Sequence, residues 1–231
     1  MSYLTEILTK IRRKWTKFRL QPIRVYCLHH VCAEFDAESM NACDWTQIDE
    51  FKKKVLDMQK EGVEIISLTE TYRHICEDWI RCKKYAVLTF DDGYASLKEI
   101  LPWLEEQKIA ATLFINGKYL DGISYRKNPK ERYLSKDDVW GLTSPLIEIG
   151  HHGWEHNRVS EMTEVEFEKS VANNGNLLKE HPNYVPFWAY TYGDHTQMSD
   201  EYLRAQGIVP VYIDGEKNYN NHDVIHRELL L

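Results

Sequence analysis

Nowhere in its 231 residues does the chain carry an apolar run long enough to cross a bilayer as a helix. Its N-terminus lacks the short apolar core and small-residue cleavage site of a secretion signal. Excess positive charge is missing too: 29 Lys and Arg stand against 36 Asp and Glu, a formal net charge of −7. That balance argues against a broad basic surface, so no nucleic-acid partner is expected. Cysteine is sparse. Cys27, Cys32, Cys43, Cys76 and Cys82 match no common zinc spacing, and an odd number without a secretion signal favours free thiols in a reducing compartment. The expected location is therefore cytoplasmic. No internal repeat is visible and no linker divides the chain after its first twenty residues, so residues 21–231 read as one domain.

What is present fits a globular protein. Hydrophobic residues make up 43% and charged residues 28%, which leaves no case for disorder. The 14 Tyr and 7 Trp suit a cleft that stacks on sugar rings, and equally a large core. Within residues 1–20, Leu4, Ile7, Leu8, Ile11, Trp15 and Phe18 recur at helical spacing among Lys10, Arg12, Arg13, Lys14, Lys17 and Arg19. This predicts a basic amphipathic helix. Such a helix lies on an anionic membrane surface, making the protein peripheral to the inner face of the membrane. Alternatively it packs its apolar stripe on the domain or on a second subunit, the commoner outcome.

From residue 23 onward strand patterns alternate with helical ones. Strands are predicted at 23–28, 63–68, 87–90, 111–115, 146–149, 185–190, 208–213 and 224–226. Helices are predicted at 69–79, 96–107, 135–142, 164–180 and 199–206, the fourth opened by a Thr163–Glu166 capping box. The polar segment 121–132 reads as an exposed loop. About seven β/α units predict an α/β fold, a distorted or incomplete (β/α)7 barrel with its chemistry on loops at one mouth.

The strand Val87–Phe90 runs directly into Asp91, Asp92 and Gly93. Adjacent residues on a regular strand face opposite sides, so both acids share a pocket only if the chain leaves strand geometry there, which Gly93 permits. Asp-Asp-Gly is also ordinary turn chemistry. Two other strand ends carry polar groups: His152 and His156 after one strand, Tyr190 to Gly193 after another. Parallel strands bring these ends to one face. The spacing of four predicts His152 and His156 on one side of a helical turn, able to grip one metal ion, with a carboxylate completing a two-His, one-Asp site. His151 beside them reads as a surface or core residue.

Thr89-Phe90-Asp91-Asp92-Gly93 together with His152-Gly153-Trp154-Glu155-His156 resembles the NodB-homology polysaccharide deacetylases, carbohydrate esterase family four. Phe187-Trp188-Ala189-Tyr190-Thr191-Tyr192-Gly193 resembles the Ala-Tyr-Pro-Tyr-Gly stretch of their poly-N-acetylglucosamine deacetylase branch, and Tyr26-Cys27-Leu28-His29-His30-Val31 resembles its N-terminal aromatic-x-x-His-x-Val signature. The resemblance covers about residues 22–231 and implies metal ligands Asp92, His152 and His156, a general base Asp91, and an oxyanion donor in the backbone N–H of Tyr192. It implies a general acid in either His29 or His226, and the branch pattern favours His29. His30 then holds His29 or fills the loop. Three departures stand out: Gly153 replaces a Ser or Thr, Thr191 replaces a proline and so loosens the oxyanion loop, and Ala189 stands where many members have an arginine that orients the base.

The implied activity is metal-dependent removal of N-acetyl groups from an N-acetylated sugar or polysaccharide. Zn2+ is the expected ion by ligand type, and Co2+, Ni2+, Fe2+ and Mn2+ also suit such a site. Two alternatives remain open: a noncatalytic carbohydrate-binding scaffold, and an amidohydrolase acting on a small or lipid-linked N-acetyl substrate.

Overall fold

A computed structural model describes residues 21–76, 83–121, 128, 130–219 and 223–230. The helix expected over residues 1–20, residues 77–79 of the next expected helix and most of the expected loop 121–132 lie outside these. Among the described residues the strands are β1 (Ile23–Leu28), β2 (His30–Cys32), β3 (Trp45–Gln47), β4 (Val63–Ile65), β5 (Lys84–Phe90), β6 (Ala111–Ile115), β7 (Ile147–His151), β8 (Tyr184–Ala189), β9 (Val209–Ile213) and β10 (Ile225–Leu229). The α-helices are α1 (Ile48–Lys60), α2 (Leu68–Cys76), α3 (Leu101–Glu106), α4 (Lys136–Trp140), α5 (Glu164–Leu178) and α6 (Gln197–Ala205).

Helix starts follow local chemistry. Ser135, Thr163 and Thr196 open α4, α5 and α6 with capping boxes that satisfy backbone N–H groups no helical carbonyl can reach. The helix expected over 96–107 is shorter. Ala95–Glu99 forms 3-10 turns, and α3 begins at Leu101 with Pro102 in its first turn, where a missing N–H costs nothing.

The expected barrel is present, and it is closed. Strand β1 pairs in parallel with β5 along its whole length, from Ile23 opposite Tyr85 to Leu28 opposite Phe90, and on its other edge with β10. The ring then runs β10, β9, β8, β7, β6 and back to β5, all parallel. Strand β4 lies outside that ring on the first residues of β5, and β2 with β3 forms a separate short pair.

Alternate residues of each strand point inward. Toward the strand N-termini the interior is apolar, with Ile23, Val25, Val87, Phe114, Phe187 and Val211 in one buried cluster. Leu68 of α2 joins that cluster and stops this end of the barrel. Glu148, buried on β7, holds it there: its Oε2 accepts from the Leu68 N–H at 3.0 Å and from Thr112 Oγ1 at 2.8 Å. A carboxylate at a helix N-terminus is favoured by the helix dipole. The outward faces of the strands meet α1, α3 and α5 through Phe51, Val55, Leu101, Leu104 and Leu178, each buried side chain stabilising the fold by about 1.5–3 kcal/mol. Toward the strand C-termini the interior turns polar, and Cys27, Thr89, Asp91 and Arg227 are all buried there.

Candidate active site

Strand alternation carries Val87, Thr89 and Asp91 inward and would turn Asp92 outward beside Phe90. Left-handed backbone at Asp92 (φ 71°) and Gly93 (φ 71°) reverses this and brings both carboxylates to one pocket. Gly93 is required twice over, because a Cβ there would lie 2.7 Å from Ile115 Cδ1. Among the described residues, the non-glycine positions with left-handed φ are Asp92, Lys108, His156 and Tyr192. All but Lys108 belong to this site. Each such residue stores about 1–3 kcal/mol of strain that surrounding contacts must hold in place.

His152 and His156 do meet, though not on a helical turn. The segment after β7 is an irregular loop with left-handed φ at Gly153 (78°) and His156 (57°). That double reversal, rather than helical periodicity, points both rings at Asp92. His156 Nε2 lies 2.9 Å and His152 Nε2 3.3 Å from Asp92 Oδ1. His152 Nδ1 donates to the Ala189 carbonyl at 2.9 Å, since a carbonyl only accepts. In the neutral tautomer this leaves Nε2 as the lone-pair atom facing the carboxylate, the arrangement of a metal-ligating histidine. The three ligand atoms fall within 4.8 Å of one another, and all three residues are buried. This nitrogen and oxygen donor set fits Zn2+ and the other divalent first-row ions.

The loop is braced from behind by two residues that sequence reading passed over. Asn116, after β6, donates through Nδ2 to the His152 carbonyl, and Asn174 of α5 donates to the Ile115 carbonyl at 3.1 Å and accepts from the Gly117 N–H at 2.8 Å. His151 is core, as one of the two expectations had it. Its ring bonds Tyr184 Oη at 2.9 Å and stacks on Trp188, and burial, with nearby Lys179, pushes its pKa down to about 3.

Asp91 has a partner that was also missed. Arg227 grips it with two parallel bonds, Nη1 to Oδ1 at 2.6 Å and Nη2 to Oδ2 at 2.9 Å, while Nη1 also reaches Thr89 Oγ1 at 3.1 Å. Asp91 is 3% and Arg227 0% exposed. Burial pushes the Asp91 carboxyl up, but the Arg227 guanidinium, with His152 and His29, outweighs it and holds the pKa at about 2. An arginine orienting the acid is therefore present. It comes from β10 and not from the position of Ala189. The signal was strand period: Ile225 is buried, so Arg227 two residues on shares its inward face and His226 faces out. His226 pairs instead with Asp214, Nδ1 to Oδ2 at 2.7 Å. Of the two candidate acids it is His29, just after β1, that has a ring nitrogen within 4.8 Å of an Asp91 carboxylate oxygen. His30 is structural: it stacks on Tyr94 with ring centroids 3.7 Å apart, its Nδ1 2.9 Å from Ser96 Oγ.

Tyr192 sits at φ 58° in a tight turn whose Gly193 and Asp194 N–H groups bond back to the Tyr190 and Thr191 carbonyls. The expected loosening at Thr191 is offset by its hydroxyl, which donates to the Asn157 carbonyl. Its neighbours make matching ties. The Tyr192 ring lies between His156, 4.6 Å away, and the Arg158 guanidinium, 4.2 Å away, and Asp194 Oδ2 accepts from Ser160 N and Oγ at 2.7 Å each. The turn 191–194 and the histidine loop 156–160 are thus fastened residue by residue.

Paired carboxylates and two imidazoles thus lie buried together at the C-terminal mouth of the β/α barrel, where barrels of this kind carry their chemistry. A family profile described as "Polysaccharide deacetylase" matches residues 80–211, and the chain belongs to that family. Comparison with curated protein sequences gives no significant match. Among solved structures, the fold is shared with IcaB from Ammonifex degensii, at 23% identity and a TM-score of 0.77, covering 91% of this chain and 92% of that one. It is shared with a de-N-acetylase from Aggregatibacter actinomycetemcomitans, at 15% identity and a TM-score of 0.76, over 90% of this chain and 95% of that one. The deacetylase PplD from Streptococcus pyogenes, solved with acetate, matches at 18% identity and a TM-score of 0.78, over 92% and 93%. Family and fold support N-deacetylation of a carbohydrate.

Proposed function

We propose that this protein is a metal-dependent N-deacetylase of an N-acetylated sugar or polysaccharide, with Asp92, His152 and His156 holding the ion. The observation that carries the reading is the convergence of both Nε2 atoms on Asp92 Oδ1, next to a second carboxylate with a fixed charge. A divalent ion held there supplies Lewis acidity, polarising the acetamide carbonyl and making the attacking water more acidic. Asp91, held at about 2, is the carboxylate placed to take the proton of the attacking water. Arg227 fixes the orientation of that carboxylate, which general-base transfer over a single hydrogen bond requires.

The Tyr192 N–H donates to the oxyanion that forms as water adds to the carbonyl, and donors aimed at developing charge favour the transition state over the substrate. His29, in its protonated form, gives its proton to the departing amine, because an amine leaves poorly as an anion. Water contributes OH to the acyl carbon and its proton to Asp91; the C–N bond breaks, leaving acetate and a free amino sugar.

The test pairs two substitutions with assays on chito-oligosaccharides and on small N-acetylhexosamines. Asp91→Asn is expected to lower deacetylation by about 10²–10⁴-fold with bound metal unchanged, whereas Asp92→Ala loses both metal and activity. An active D91N protein refutes the base assignment. A wild-type protein that binds the sugars, holds no metal and releases no acetate is the noncatalytic scaffold instead.

A further inference from the structure

Period two places Cys27 and His29 on the same inward side of β1, and Asp91 stands beside them, its N–H bonded to the Leu28 carbonyl at 2.8 Å. The Cys27 thiol donates to Asp91 Oδ2 at 3.4 Å. One ligand atom each from Cys27, His29 and Asp91 falls within 4.8 Å of the other two. Ligands of a tetrahedral ion with bonds of about 2.0–2.3 Å stand roughly 3.3–3.8 Å apart, so the Cys27 and Asp91 atoms are already at coordinating separation and His29 needs to close by about 1 Å at most.

We infer that Cys27, His29 and Asp91 form a second cation site, selective for thiophilic divalent ions, whose occupation shuts the reaction down. Its sulfur, nitrogen and oxygen donors are softer than the Asp92, His152 and His156 set and favour ions such as Cd2+. The carboxylate has room for it. A carboxylate oxygen has two lone-pair directions; on Oδ2 one faces Arg227 and the other the thiol hydrogen. An ion that displaces that hydrogen takes over its lone pair and leaves the guanidinium in place. The balance is simple: the thiol loses one proton to solvent, a sulfur–metal bond forms, and nothing is oxidised.

The thiol is buried and its hydrogen is already engaged by Asp91, so an ion with high affinity for sulfur is the kind that displaces it. His152 Nε2 lies 3.9 Å from Asp91 Oδ2, so the two triads abut and a second ion meets the charge of the first. The second site therefore fills after the first, at metal in excess of one equivalent. That its filling inhibits rests on the roles proposed above for Asp91 and His29; that it binds does not.

The holoenzyme loaded with one equivalent of Zn2+ is titrated with Cd2+, following the sulfur-to-cadmium charge-transfer absorbance and chito-oligosaccharide deacetylation together. The wild type is expected to gain a charge-transfer band and lose activity in parallel, both reversed by chelator. Cys27→Ala, and Cys27→Ser in case the alanine variant folds poorly, are expected to keep basal activity and to shift inhibition to Cd2+ concentrations about tenfold higher or more. They lack the increment of absorbance that accompanies inhibition. Exchange of Cd2+ into the Asp92 triad gives no such band, since that site holds no sulfur. Inhibition of both variants at the wild-type concentration overturns the site. A Cys27-dependent band without loss of activity leaves the site standing and refutes the roles assigned to Asp91 and His29.

Discussion

Substituting Arg227 by methionine keeps most of the side-chain length and removes the charge that sits against Asp91. The guanidinium and carboxylate centres are roughly 4 Å apart, which at an effective dielectric constant of about 20 corresponds to about 4 kcal/mol of attraction. Both groups are buried, at 0% and 3% exposure, so solvent screens little of it. Removing one partner of a buried pair strands the other charge and costs about 3–5 kcal/mol. In a domain of this size that lowers Tm by roughly 6–20 °C. The reacting carboxylate is also freed from its two-point clamp, and kcat is expected to fall about 10²-fold. Urea denaturation of the wild type, R227M, D91N and the double variant gives the pairwise term directly. The double variant should recover at least about 2 kcal/mol relative to the sum of the single losses, because it strands no charge, yet remain inactive. Arg227→Lys keeps the charge and loses the fork, so it should fall between wild type and R227M in both measures. A denaturation midpoint of R227M equal to wild type, or strictly additive single losses, would refute the argument that this pair fixes the base.

Two further outcomes follow, one from the scaffold and one from the site. His181 is buried with both ring nitrogens committed, Nε2 to the Val139 carbonyl at 3.0 Å and Nδ1 accepting from the Asn183 N–H at 3.1 Å. Burial lowers its pKa, only partly opposed by the Val139 bond, so the unfolded chain takes up a proton at a higher pH than the native one. The stability it contributes is full above the unfolded value of about 6.5 and is lost as pH falls through the lower native value. Urea midpoints between pH 7.5 and 5.5 should fall more steeply for the wild type than for His181→Gln, and equal slopes would count against this. Thr191→Val removes the hydroxyl tie to Asn157 while keeping the β-branched shape, and leaves a carbonyl unsatisfied at a cost of about 1–2 kcal/mol. Steady-state kinetics should show kcat reduced about 5- to 30-fold with KM nearly unchanged; a change confined to KM would place Thr191 in substrate binding instead.

The alternation of strand and helix was legible because each element carries its own period, and the Asp and His motifs fell on strand ends where parallel topology must gather them. Closure was not, since the pairing of β1 with β5 joins residues about sixty positions apart that no local pattern links. The histidine spacing was read as a helical turn because four residues suit one, whereas Gly153 and the left-handed His156 achieve the same convergence through a loop. Arg227 was missed because the last strand was ended three residues too soon, at His226, when it runs Ile225–Leu229. Asn116 and Asn174 act through side-chain bonds to backbone on other elements, and such bonds leave no trace in a sequence pattern.

The stopper formed by Leu68 and Glu148 closes the floor of the barrel beneath the site. With that end stopped, acetate freed beside Asp91 in the proposed reaction leaves by the mouth that admits the substrate, past the amino sugar or after it. Order of release becomes a property of the scaffold, set at the far end of the barrel by where one helix is pinned, and acetate added from outside must queue at the same opening that admits the substrate.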